Sequence, residues 1–132
     1  MMIVAQFYEY RRAYTRSLHD YRGMARQSTP NTLFGKRLRE ARTRLGIAQD
    51  KLGVLIGLDE GTASARISRY ETGIHEPPFG TAEQLAEVLN VPAAFFYCRD
   101  DQLAKLLIRY SSLGDKDQSS LLQLASRLGT DD

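Results

Sequence analysis

Apolar side chains recur at intervals of three and four along most of this sequence, the spacing that places them on one face of a helix. Gln49 to Ile56 carries Leu52, Val54, Leu55 and Ile56 and runs into Gly57, which predicts a two-turn helix stopped at a glycine. Leu58 can then return to the core. The oxygen-bearing run Asp59-Glu60-Gly61-Thr62-Ala63-Ser64 offers several candidate helix caps, Asp59 or Thr62 being favoured. From about Thr62 to Glu71 the apolar positions are Ala63, Ile67 and Tyr70, and Gly73 closes the segment as a carboxyl-terminal cap. A helix over Gly80–Leu89 should bury Leu85, Ala86, Val88 and Leu89. Asn90 and Pro92 bracket a turn into a short helix bearing Phe95 and Phe96, expected in the core or sharing in a dimer contact. Two more amphipathic stretches follow. Asp101–Tyr110 presents Leu103, Leu106, Leu107 and Tyr110; Ser119–Leu128 presents Leu121, Leu122, Leu124, Ala125 and Leu128, with Gly114-Asp115 as the turn between. Upstream, Pro30 marks a break, with Asn31 or Thr32 capping the helix that follows it.

The helix ending at Gly73 has an unusual outer face. With Ile67 pointing inward and each residue turning about 100°, Thr62, Ala65, Arg69 and Thr72 point outward, flanked by Arg66 and Ser68. Small residues beside arginines permit close approach to a groove, and Arg can donate two parallel bonds to guanine O6 and N7. The plainer alternative is a solvated helix surface.

Residues 33 to 97, LFGKRLREARTRLGIAQDKLG…ISRYETG…PP…LAEVLNVPAAFFY, resemble the helix-turn-helix domain of the phage-repressor and Cro (xenobiotic-response-element) family over about half the chain. The resemblance implies an all-α fold: a five-helix repressor-like DNA-binding domain with a helix-turn-helix, plus C-terminal helices. Around that DNA-binding domain (31–98) the chain has an N-terminal basic and aromatic extension (1–30) and a C-terminal helical segment (99–132) expected to serve dimerisation. The resemblance also implies sequence-specific double-stranded DNA binding by a transcriptional regulator that reads the major groove with the helix ending at SRYETG, here expected to act as a homodimeric repressor. The positions matching base contacts are Ser64, Ala65 and Arg69, to which the outward Thr62 is added. Gln49 matches a glutamine that contacts phosphate at a helix amino terminus; Arg66, Ser68, Thr72 and His75 are further expected phosphate contacts. Gly53 stands where the family usually has alanine, which would keep the clearance for two crossing helices. Arg42 and Glu71 match a structural ion pair between the first helix and the end of the recognition helix. One departure matters: ten steps separate Gly57 from Ile67, about one helical turn more than the family spacing. The additional residues could lengthen the recognition helix or form a loop.

Charge is unevenly placed. Residues 1–30 carry five arginines against two carboxylates, residues 31–75 eight basic against five acidic groups, and residues 76–132 five against nine. Positive potential therefore sits in the half that would face phosphate. At 132 residues and 42% hydrophobic, the chain can bury one core with an accessory element. The lone Cys98 leaves no intrachain disulfide, pointing to a reducing cytoplasmic setting, and no stretch approaches the roughly 18 apolar residues that span a membrane. The amino terminus lacks a hydrophobic signal core. There, Tyr8, Tyr10, Tyr14 and Tyr21 are interleaved with Arg11, Arg12, Arg16, Arg22 and Arg26, readable as a basic arm reaching DNA, a helix packing on the domain or its dimer mate, or a weakly ordered extension with little role, a reading that includes a start of translation at Met24.

The two histidines, His19 and His75, have no nucleophile or ligand cluster around them, and no phosphate-binding glycine loop is present. No enzymatic activity, catalytic residue, metal or cofactor is therefore expected. The C-terminal apolar faces exceed what the DNA-binding domain needs, which predicts self-association through residues 101–128. The alternatives are an antitoxin that binds a toxin through those helices while repressing its own operon, and a protein-binding bridge that keeps the fold without reading DNA.

Overall fold

Thr32 starts the first helix among the described residues. Its backbone is extended, and its hydroxyl accepts the Gly35 N–H at 3.0 Å, satisfying one of the donors left open at the amino end of α1 (Leu33–Leu45). The computed structural model describes residues 30–129; the basic extension expected at the amino terminus lies, but for Pro30, outside the described residues. After α1 come α2 (Gln49–Leu55), α3 (Glu60–Thr72), α4 (Phe79–Leu89), a 3-10 helix (Ala93–Tyr97), α5 (Asp101–Ser112) and α6 (Asp115–Arg127). No strand occurs among the described residues.

Left-handed glycines punctuate the central unit: Gly57 follows α2 at φ 93° and Gly73 ends α3 at φ 83°. Between them α3 begins at Glu60, two residues before the expected start near Thr62. The additional residues thus lengthen the helix at its amino end instead of forming a long loop. Asp59 occupies the cap position, but its carboxylate makes no capping bond. Thr62 donates its hydroxyl to the Asp59 carbonyl at 3.4 Å, so neither side chain is the oxygen cap that was expected.

Leu38, Ala41, Leu52, Ile67, Leu85, Leu89, Phe95 and Phe96 form the centre of a single core, with Phe34 and Phe96 rings 4.9 Å apart. Ala63, Ile67 and Tyr70 face it from α3 as the spacing requires. Of the four apolar residues in the α2 segment only Leu52 is fully buried; Val54 and Leu55 point outward, because a seven-residue helix turns a narrow stripe to the core. Val88 is likewise only half-buried. The core continues past residue 98, since Ala104 of α5 is buried and Leu107 and Ile108 pack against the cluster. Helix α6 starts at Asp115, four residues before the expected Ser119, with Asp115 and Asp117 in a first turn that favours carboxylates. Gln118 Nε2 of α6 donates to the Tyr110 carbonyl of α5 at 2.9 Å, and none of the residues of α6 is buried.

Two close approaches fix how α3 sits. A Cβ at Gly53 would lie 2.6 Å from Ala63 Cβ and 2.9 Å from Ala63 Cα. The crossing of α2 and α3 is therefore tighter than alanine allows, which corrects the expectation that glycine merely preserves an alanine-sized clearance. A Cβ at Gly35 would lie 2.0 Å from the Glu71 carbonyl oxygen, so α1 presses its first turn directly on the end of α3. The Glu71 side chain, 0% exposed, is gripped beneath that contact. Arg42 pairs with it through Nε, and through Nη2 at 3.3 Å; Arg39 Nε donates at 3.2 Å and Gln49 Nε2 at 2.9 Å. The Arg42 guanidinium also donates to the Ile47 carbonyl at 2.9 Å, tying in the turn between α1 and α2.

Gly53→Ala should destabilise the chain by about 1 to 3 kcal/mol through overpacking, opposite in sign to the roughly 1 kcal/mol that helix propensity alone would gain. A urea midpoint that rises in the variant would contradict this packing. Glu71→Gln should cost about 3 to 5 kcal/mol, because Arg42 is left buried without its counter-charge. Equilibrium denaturation measures it, and a loss below about 1 kcal/mol would show that the cluster matters little.

Candidate nucleic-acid interface

The ridge of α3 is open to solvent where the wheel places it. Thr62, Ser64, Ala65, Arg66 and Arg69 are exposed and Ser68 is half-buried. Thr72 departs from expectation: it is 8% exposed, and its hydroxyl donates to the Ser68 carbonyl at 2.9 Å and to that of Arg69 at 3.4 Å. Its neighbours Glu71 and Gly73 both meet the start of α1, so Thr72 lies off the exposed ridge.

The arginines divide into two sets. Arg37, Arg39, Arg42 and Arg44 of α1 all donate to carboxylates or carbonyls of the fold. Among the described residues no hydrogen bond or ion pair engages the guanidinium of Arg66 or Arg69. Each of these two keeps five unused N–H donors beside small neighbours, which suits a planar, bidentate acceptor or a phosphate.

Gln49 stands at the first position of α2, half-buried, with one amide N–H committed to Glu71. An amide nitrogen carries two hydrogens, so this bond orients the group while leaving a second donor. The free backbone N–H groups of the first turn of α2 lie beside it, and Ala48 provides no side-chain cap for them. His75 is exposed in the loop after α3, and its backbone N–H returns to the Arg69 carbonyl at 3.2 Å, folding that loop against the helix end. Sequence reasoning named Arg42 and Glu71 but missed Arg39 and Gln49 as further partners of the same carboxylate. It also missed Gly35, whose role lies in a contact 36 residues away along the chain, and Arg37. No periodic signal could have indicated them, since each depends on where a distant segment comes to rest.

Among the described residues no group of three or more His, Cys, Asp or Glu is placed to hold a metal, and no helix is long and apolar enough to cross a membrane.

A helix-turn-helix family profile matches residues 38–96, which contain α2, α3 and their crossing. Uncharacterized HTH-type transcriptional regulators of Sinorhizobium medicae and of Rhizobium meliloti are each 35% identical over 63 residues, 48% of this chain. The chain spans 42% of the length of these curated relatives. The crystal structure of the transcriptional regulator BswR superposes with a TM-score of 0.68 at 46% identity, covering 71% of this chain and 93% of that one. With the same fold, near-half identity over almost the whole of that regulator and an open ridge on α3 that bears Arg66 and Arg69, the chain belongs to the helix-turn-helix family of DNA-binding transcriptional regulators.

Proposed function

We propose that the protein is a dimeric repressor that reads double-stranded DNA in the major groove with α3. The observation that carries this reading is the pair of unengaged guanidiniums, Arg66 and Arg69, set among Thr62, Ser64 and Ala65 on the exposed side of an otherwise gripped helix. Arg69 is the base-reading donor, with Ala65 and Ser64 allowing the approach and Thr62 reaching from the added turn. Gln49, with Arg66, Ser68 and His75, holds the flanking phosphates. Phosphate contacts position the protein and base contacts specify the site, so the two groups have different signatures.

The dimer is formed through α5 and α6. Leu106, Leu122, Leu124 and Leu128 are 46%, 66%, 46% and 67% exposed, and α6 buries none of its own residues. A 13-residue helix with no buried residue is marginal in water. A second copy supplies an identical apolar face and gives the two-fold symmetry that an inverted-repeat operator requires. Occupancy of such a site excludes polymerase from a promoter.

Arg69→Ala should lose about 1 to 3 kcal/mol on the selected operator and relax preference at one base pair, whereas Gln49→Ala should weaken specific and random duplexes alike. Selection of bound fragments from a random pool followed by titration decides this; equal losses on both duplexes for Arg69→Ala would remove its reading role. For assembly, the full chain should sediment as a dimer and the Leu106→Lys/Leu124→Lys double variant as a monomer, since both positions are exposed within one subunit. A variant that remains dimeric would place the contact elsewhere.

A further inference from the structure

The junction between the reading unit and the C-terminal helices is organised around one side chain. Arg37 of α1 is 2% exposed. Its Nε donates to the Cys98 carbonyl at 2.8 Å, and its Nη2 to the Arg99 carbonyl at 3.1 Å and to Asp101 Oδ1 at 2.9 Å. Nη1 donates to Glu40 Oε2 at 2.9 Å on the same helix, and the guanidinium lies 5.7 Å from the Phe95 ring centroid. Cys98, Arg99 and Asp101 span the connector from the 3-10 helix to the first residue of α5. Asp100, between them, caps α5 by accepting from the N–H groups of Gln102 at 2.8 Å and Leu103 at 2.9 Å.

A guanidinium is a rigid planar fork, so acceptors gripped on several of its edges are fixed in direction as well as distance. Apart from the exposed Lys36–Asp101 pair at 3.7 Å, the remaining attachment of α5 is apolar and short: Ala104 is buried, with Leu107 and Ile108 packed against the core. Beyond them Leu103, Leu106 and Tyr110 face outward, and α6 has no buried residue. The direction in which the dimer face leaves the reading unit is therefore set around the first turn of α5. Arg37 joins that turn to α1, and α1 in turn grips α3 through Glu71.

We propose that Arg37 is a positioning residue that sets the separation and relative rotation of the two recognition helices, and hence the half-site spacing the dimer accepts. This rests on the dimeric reading above. Changing a spacer by one base pair shifts the half-sites by about 3.4 Å and rotates them by about 35°, so a stiff junction selects one spacing and a loose one accepts several. Asp101 is the outer jaw of the clamp. The hydrogen bond from Arg37, with the nearby Lys36 charge at 3.7 Å, holds its carboxyl below the usual carboxylate range, so the jaw is ionised at neutral pH.

The test uses the full chain with Arg37→Lys and, separately, Asp101→Asn, a change at a largely exposed side chain that retains the two carbonyl bonds of Arg37. Each protein is titrated by fluorescence anisotropy against inverted repeats of the selected half-site with spacers stepped by one base pair, and against a single half-site. Sedimentation and thermal melting are measured in parallel. The wild type should lose about tenfold affinity for one step away from its optimum, where deforming the DNA must absorb the misfit. Arg37→Lys should flatten that loss to about threefold or less while single-half-site affinity and dimer assembly stay unchanged, and Asp101→Asn should move partway in the same direction. Folded, dimeric variants that keep the wild-type spacing profile would overturn the proposal; should Arg37→Lys fail to fold, Asp101→Asn decides it alone. A wild type that is monomeric, or indifferent to spacing, would instead overturn the dimeric reading and the proposal with it.

Discussion

The carboxylate of Glu71 is the point on which the reading unit turns. It sits with no exposed surface at the end of α3, and it receives Arg42 and Arg39 from α1 and Gln49 from α2. Three helices therefore meet on one charged group. An ion pair so deeply buried adds little net stability, since desolvation consumes much of the attraction; its effect is directional, because few other arrangements satisfy all its partners. A helix that must meet a groove at a fixed angle benefits from that kind of constraint more than from additional apolar burial.

The same constraint explains the glycines. Glycine inside a helix is unfavourable by roughly 1 kcal/mol, and Gly35 in α1 and Gly53 in α2 both accept that penalty. Each stands where another backbone or side chain of α3 comes closer than any Cβ permits: the Glu71 carbonyl against Gly35, and Ala63 against Gly53. The two contacts lie at opposite ends of α3, so the helix is located at both ends by steric closeness and at one of them by charge. Local propensity is given up in order to hold α3 in place.

The order and type of the helices could be read from apolar spacing because each helix buries a continuous stripe: Ala63, Ile67 and Tyr70 fell on the core side as their intervals require. Helix ends were harder. The start of α3 was obscured by a six-residue run that holds several candidate caps, and the start of α6 by serines and aspartates that suit turns as well as first turns. Thr72 was misplaced for a different reason. A helical wheel treats the cylinder as alone, whereas the last turn of α3 meets the start of α1 at Glu71 and Gly73, the residues on either side of the buried Thr72. Arg37 was invisible because three of its four acceptors, the Cys98 and Arg99 carbonyls and the Asp101 carboxylate, lie 61 to 64 residues further along the chain, which no composition or spacing marks.

The lengthened amino end of α3 bears on how its carboxylates meet DNA. Counting back from Ile67 at about 100° per residue, Glu60 lies within roughly 20° of the core-facing line, whereas Thr62, Ala65 and Arg69 cluster on the far side. Glu60 is exposed because the core ends before the helix does, not because it belongs to the outer ridge. Its charge is favourable where it stands, at a helix amino terminus carrying partial positive charge and lacking a side-chain cap. The added turn thus extends the ridge by Gly61 and Thr62 without placing a carboxylate along it. A Cβ at Gly61 would touch nothing within 4 Å, so its smallness answers no contact within the chain. The arrangement leaves the cationic and small side chains of α3 as the surface that a phosphate-walled groove would meet first.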